Sequence, residues 1–136
     1  MRGIYFCSIN DDYTIMIPEQ LLQRFDKSAV SISKAPIDSV FIVYPFVGEQ
    51  LAARIKEVPE LQEDLGIGVD SFQSIPVSRS LIHIPQTIYE SIGEKTVCLV
   101  ALGDYIEIWP ASEYKKVDEK ALTSEIINNL FNELGL

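Results

Sequence analysis

The sequence predicts an α+β, mainly β fold: one compact unit made of two tandem copies of a small strand-rich module, with flanking helices. Three observations point there. Apolar residues fall in short runs bounded by turn signals, the pattern of strands. The motif Ile-x-Ile-Pro occurs twice, at residues 15–18 and 82–85. Two amphipathic stripes, around 47–58 and near the C-terminus, have helical spacing.

The repeat is visible when the chain is laid on itself with a shift of 67 positions. Ile15 then meets Ile82, Ile17 meets Ile84 and Pro18 meets Pro85. Leu21, Leu22 and Phe25 meet Ile88, Tyr89 and Ile92; Val30 and Ile32 meet Val97 and Leu99. After a two-residue gap VFIVYP (40–45) lies over YIEIWP (105–110). This many apolar matches in order argue for duplication.

Each element has a local reason. IYFCSI (4–9) and TIMI (14–17) read as strands joined by the Asn-Asp-Asp turn signal at 10–12. Pro18 suits the first position of a helix, where its missing N–H is not needed, and Leu21, Leu22 and Phe25 share one face of it. AVSI (29–32) and SVFIVY (39–44) follow as strands, ended by Pro45. Val47, Leu51, Ile55 and Val58 then form a helical stripe. PELQEDLGIG (59–68) reads as a linker. In the second copy VDSFQSIPV (69–77) alternates imperfectly, and LIHI (81–84) is a strand. QTIYESIG (86–93) is a helical turn with Gly93 as its C-cap. TVCLVA (96–101) and YIEIW (105–109) are strands around a Leu-Gly-Asp turn. Asp118 suits the N-cap of a last helix with Leu122, Ile126, Leu130 and Leu134 on one face, which either covers the shared core or pairs with another subunit. The expected division is a first repeat with its helix (1–58), the linker (59–68), a second repeat (69–117) and a C-terminal amphipathic helix (118–136). Neither repeat has much core alone, so interlocking them is the economical way to bury one.

Composition narrows the function classes. With 136 residues, 47% of them apolar and 23% charged, the chain is neither disordered nor fibrous. No apolar run approaches the roughly 18 residues of a membrane span. The N-terminus lacks the apolar core and cleavage site of a secretory signal, so a cytoplasmic location and no membrane partner are expected. Twenty acids against 11 bases give a net charge of −9, which disfavours generic phosphate attraction and anionic membranes alike.

The residues quoted above resemble the MraZ family, whose members carry two tandem AbrB-type repeats. Arg2-Gly3 is similar to the family's opening Arg-Gly, at the usual distance from Pro18. KTVCLVALGDYIEIWPASEYKKV (95–117), with the single Trp109, is similar to the family's run of strand, Gly turn, strand, Trp and helix. The resemblance covers residues 2–117. It implies a swapped-hairpin AbrB-like barrel, ring-shaped homo-oligomers, and a bacterial transcriptional regulator that binds repeated promoter sites. It also implies an Asp-x-x-Gly-Arg signature before each Ile-x-Ile-Pro, often with Lys ahead of the Gly, where Arg and Lys touch DNA and Gly eases the turn. Here the Asp, Gly and Arg positions hold Asn10, Tyr13 and Thr14, with Asp12 at the Lys position. In the second repeat they hold Val77, Ser80 and Leu81, with Arg79 before the Gly position. Arg79 is therefore the one candidate nucleic-acid contact on either hairpin.

No other residue pattern makes a case for chemistry. His83 alternates with Ile82 and Ile84 and reads as an exposed or half-buried strand residue; one His builds no metal site alone. Cys7 and Cys98 lack a C-x-x-C spacing and read as core residues. Asp11 and Asp12 read as turn formers. GIG (66–68) lacks the third Gly and the setting of a dinucleotide loop. Tyr44 and Trp109 hold equivalent places before Pro45 and Pro110 and are expected at a barrel edge or subunit seam. The expectation is a non-enzyme with no catalytic residues, metal, cofactor or small-molecule substrate. Its partners are further copies of itself and, by the resemblance, DNA. The alternative is an oligomeric interaction or structural relative that has lost DNA binding.

Overall fold

A computed structural model describes residues 2–25, 27–35, 39–57, 71–103 and 105–116. The first copy gives β1 (Arg2–Ser8), β2 (Thr14–Met16), a 3-10 turn (Glu19–Leu21), α1 (Leu22–Phe25), β3 (Ala29–Lys34), β4 (Phe41–Tyr44) and α2 (Gly48–Glu57). The second gives β5 (Gln73–Ser78), β6 (Leu81–His83), α3 (Gln86–Ile92), β7 (Thr96–Leu102) and β8 (Tyr105–Pro110), followed by a helical stretch over 111–116. The eight strands form one sheet in the order β1-β7-β8-β4-β3-β5-β6-β2. It curls into a nearly closed barrel, with the hairpin between β1 and β2 joining its two ends. The molecule is mainly β with a few helices, as predicted.

The two copies are interleaved. β1 pairs with β7, β3 with β5, β2 with β6 and β4 with β8, all antiparallel and all across the repeat boundary. The register reveals a pseudo-twofold. Ile15 stands opposite its own equivalent, Ile82, and Ile42 opposite its equivalent, Glu107. On either side of each such pair the partners exchange: Thr14 faces His83 and Met16 faces Leu81. Hydrogen bonds outside the strands obey the same symmetry. Ile9 N–H donates to Lys95 O at 2.8 Å, and Val77 N–H donates to Ser28 O at 3.0 Å. Ile17 N–H donates to Ser80 O at 2.8 Å, and Ile84 N–H donates to Tyr13 O at 2.9 Å.

Interleaving creates the core that neither copy has. Inside the barrel Ile9, Ile15, Ile17, Val30 and Ile32 pack with Ile75, Ile82, Ile84, Val97 and Leu99, while Phe25 and Ile92 plug it from α1 and α3. Each fully buried aliphatic side chain contributes roughly 1.5–3 kcal/mol of transfer free energy. A second cluster lies on the outer face of the sheet, where Ile42, Tyr44, Cys98 and Trp109 meet Leu51 and Ile55 of α2. Tyr44 stacks on Tyr105 with centroids 6.1 Å apart, and Trp109 meets Tyr114 edge-on at 6.0 Å.

Three local expectations need correction. Pro18 and Pro85 precede their helices as N-caps, with near-identical extended dihedrals (φ −56°, ψ 141° and φ −63°, ψ 148°). Proline's fixed φ suits that entry as well as the first helical turn. Val47 leaves the α2 stripe and is exposed, because Gly48 begins the helix with φ 61° and breaks the phase between them. The strand expected over 39–44 begins only at Phe41, since Ser39 is left-handed with φ 67°. Gly93 caps α3 as expected, with φ 77° and its N–H on Tyr89 O. Val58, the linker 59–68 and the C-terminal helix 118–136 lie outside the described residues.

Candidate nucleic-acid interface

The resemblance directs attention to the two hairpin tips, one between β1 and β2 and one between β5 and β6. Their lengths differ. The β1/β7 and β3/β5 pairings make Ile9 equivalent to Val77, and both are buried. Past the turn Thr14 is equivalent to Leu81. The first tip thus holds one residue more, and the position matching Asn10 is Ser78. Val77, assigned to the Asp position from the unshifted alignment, belongs to the core.

At the first tip Tyr13 N–H donates to Asn10 O at 2.9 Å, and Asn10 N–H donates to Thr14 O at 2.9 Å. Tyr13 is left-handed, φ 62°. That is a three-residue hairpin loop closed by a left-handed residue. Thr14 is buried, yet its hydroxyl is satisfied twice: it donates to Asp12 Oδ1 at 2.6 Å and accepts from Asn10 Nδ2 at 2.9 Å. Asp11 points outward, with its side chain 97% exposed, and meets Lys95 Nζ at 2.9 Å. Hydrogen bonding and charge from Lys95 hold the Asp11 carboxyl below its usual range, and Asp11 in turn raises Lys95. Asp11 and Asp12 therefore serve the turn and one surface ion pair.

At the second tip two consecutive residues are left-handed, Arg79 with φ 52° and Ser80 with φ 63°. This is the type I′ geometry, which matches the twist of a two-residue hairpin and normally selects Asn-Gly. Arg79 projects into solvent. Ser78 Oγ lies 2.8 Å from His83 Nε2 across the base of the hairpin, which engages the half-buried histidine locally. Tyr13 and Ser80, at the two positions where the resemblance places Gly, are both left-handed and carry the symmetric carbonyl contacts to Ile84 and Ile17. Both tips turn through a left-handed residue, and across 10–13 and 78–80 Arg79 is the one basic residue.

The cysteines and one further carboxyl are the other groups whose surroundings are distinctive. Cys7 faces the inner cluster and Cys98 the outer one, so they cannot bridge, and burial raises the Cys7 thiol. Glu107 is half-buried on the outer face beside Trp109, whose Nε1 donates to its Oε1 at 3.2 Å. Burial raises the Glu107 carboxyl, and the Trp109 bond partly offsets this. Sequence reasoning missed this residue; its equivalence to Ile42 in the VFIVYP/YIEIWP alignment was the available signal. Among the described residues no three His, Cys, Asp or Glu side chains gather as a metal site, and no helix is long and apolar enough to cross a membrane. No protein-family model matches the chain, and no curated protein matches it significantly.

Proposed function

We propose that this protein is a MraZ-like, homo-oligomeric transcriptional regulator without enzymatic activity, contacting DNA through the β5–β6 hairpin. One observation carries the reading. Two hairpins related by a pseudo-twofold each turn through a left-handed residue, Tyr13 and Ser80, at the place where that family has glycine. Arg79 sits beside Ser80 at the tip and is the cation that would meet phosphate or a base edge.

A second reading is favoured by charge. Asp11 and Asp12 occupy the other tip, and Lys95 beside it is held by Asp11. With a net charge of −9, this arrangement suits an oligomeric interaction or structural protein that has lost DNA contact.

A salt-titrated binding assay on repeated promoter-like duplex DNA separates them. The regulator binds at low salt and weakens steeply as salt rises, and Arg79→Ala lowers the log–log salt slope by about 0.9 per hairpin in contact. Absence of binding at low salt by an intact, folded protein decides for the second reading.

A further inference from the structure

The outer face of β1 is apolar and exposed. Ile4 and Phe6, two positions apart and so on one side of the strand, are 52% and 53% exposed, while Tyr5 and Cys7 turn to the inner cluster. On the neighbouring strand β7, Val100 stands opposite Ile4 and Leu102 opposite Arg2. Both are half-buried against the outer cluster. Single exposed apolar residues are ordinary, but neighbours that form one continuous strip mark a contact surface. We infer that this strip seats the chain's own segment 118–136, with Leu122, Ile126, Leu130 and Leu134 laid against it.

The pseudo-twofold supplies an internal control. The β1/β7 and β3/β5 registers make Ile4, Val100 and Leu102 equivalent to Phe72, Ser33 and Ala35. Ser33 and Ala35 are buried, and Phe72 is half-buried in the cluster that holds Leu51 and Ile55 of α2. α2 follows Pro45, and residues 111–136 follow the equivalent Pro110. The less apolar strip thus shares its cluster with the apolar stripe of a helix, whereas the more apolar strip leaves two large side chains half in water. The segment that occupies the place of α2 in the second copy carries a stripe of the same kind.

The described chain already leads to the strip. Glu94 fixes the start of the helical stretch 111–116: Ser112 N–H donates to Glu94 Oε1 at 3.2 Å, and Ser112 Oγ donates to Glu94 Oε2. Two residues on, Tyr114 meets Trp109 of β8 and Phe6 of β1 edge-on, with centroids 6.0 Å from each. The chain therefore crosses from β8 to β1 at Phe6, one end of the strip, and 20 residues follow Lys116. From Phe6 to Arg2 the strip is about 13 Å long at strand spacing. Leu122 to Leu134 would cover about 18 Å as a helix, enough to run its whole length.

The inference is independent of DNA binding. The test uses the full chain, deuterated and labelled at Ile, Leu and Val methyls, and reads methyl–methyl NOEs. Cross-peaks from Ile4, Val100 and Leu102 to at least two of Leu122, Ile126, Leu130 and Leu134 are expected. They should persist when labelled chains are refolded together with an excess of unlabelled ones, because donor and acceptor belong to one polypeptide. Ile126→Glu should abolish them and raise the binding of an apolar dye several-fold, with the Ile15–Ile82 cross-peak retained as proof of an intact barrel. Lys115→Gln should change none of these. Absence of the cross-peaks in the parent protein, or their connection to another face, would overturn the proposal. So would their loss on dilution, which assigns the strip to a second copy's segment, or unchanged dye binding in folded Ile126→Glu.

Discussion

Between β1 and β2 the chain turns in three residues, ending on left-handed Tyr13; between β5 and β6 it turns in two, Arg79 and Ser80, both left-handed. The first tip is braced by side chains: Asn10 and Asp12 bond the buried Thr14, Tyr13 packs on Tyr89 at 5.1 Å, and Asp11 reaches Lys95. The second is bridged by the exposed Ser78–His83 contact. Yet both deliver their following strands to the same place, and Ile15 and Ile82 meet on the pseudo-twofold. What the fold requires of each tip is a left-handed residue with its carbonyl aimed at Ile84 or Ile17; loop length, charge and bracing are free to differ. The surface chemistry of the hairpins can therefore diverge without disturbing the barrel.

The largest expected effect tests the shared part. Ile15→Ala and Ile82→Ala should each cost about 3 kcal/mol in denaturant unfolding, because both side chains are buried against the same core. Their double variant should depart from additivity, since the two residues face each other. If one substitution proved far cheaper, the symmetry of the core would be broken where the register makes it most exact in kind.

A smaller effect sharpens the difference between the tips. Ser80→Gly removes the penalty of a left-handed non-glycine residue but adds unfolded-state entropy, leaving a net gain of about 0.5 kcal/mol. Tyr13→Gly gains the same relief but loses the Tyr89 contact and half-buried aromatic area, so it should destabilise by about 1 kcal/mol. Thermal melts of the pair check the opposite signs.

The smallest effect is electrostatic and belongs to the first tip alone. Asp11 is lowered below its ordinary value of 3.8, so its contribution is present above that pH and is lost as pH falls through the folded value. Lys95 is raised above 10.5, so its contribution is present below that pH and is lost as pH rises through the folded value. Both groups are exposed, and salt should screen the pair. Lys95→Gln should flatten both limbs of the stability–pH curve, a change that salt reproduces in the parent protein.

Much of this fold was legible because buried apolar residues repeat. Ile15, Ile17, Phe25 and Val30 announced Ile82, Ile84, Ile92 and Val97 by spacing alone. The one-residue difference between the tips was not legible, because Asn10–Tyr13 and Ser78–Ser80 carry no apolar anchor from which to count. Cross-repeat pairing was expected only as economy; its register needs contacts between residues as distant as Arg2 and Leu102. Arg79 was found because it sits in a linear motif.

Interleaving has a consequence for the order in which the chain leaves the ribosome. β1 and β2 are made first, but their partners β7 and β6 come from the second copy. A half-made chain thus presents Ile9, Ile15 and Ile17 with nothing opposite them, and assembly waits for the closing strands. Such long-range pairing makes folding slow and leaves nascent molecules exposed to one another, so an equivalent hairpin from a neighbouring polypeptide competes for the same slot.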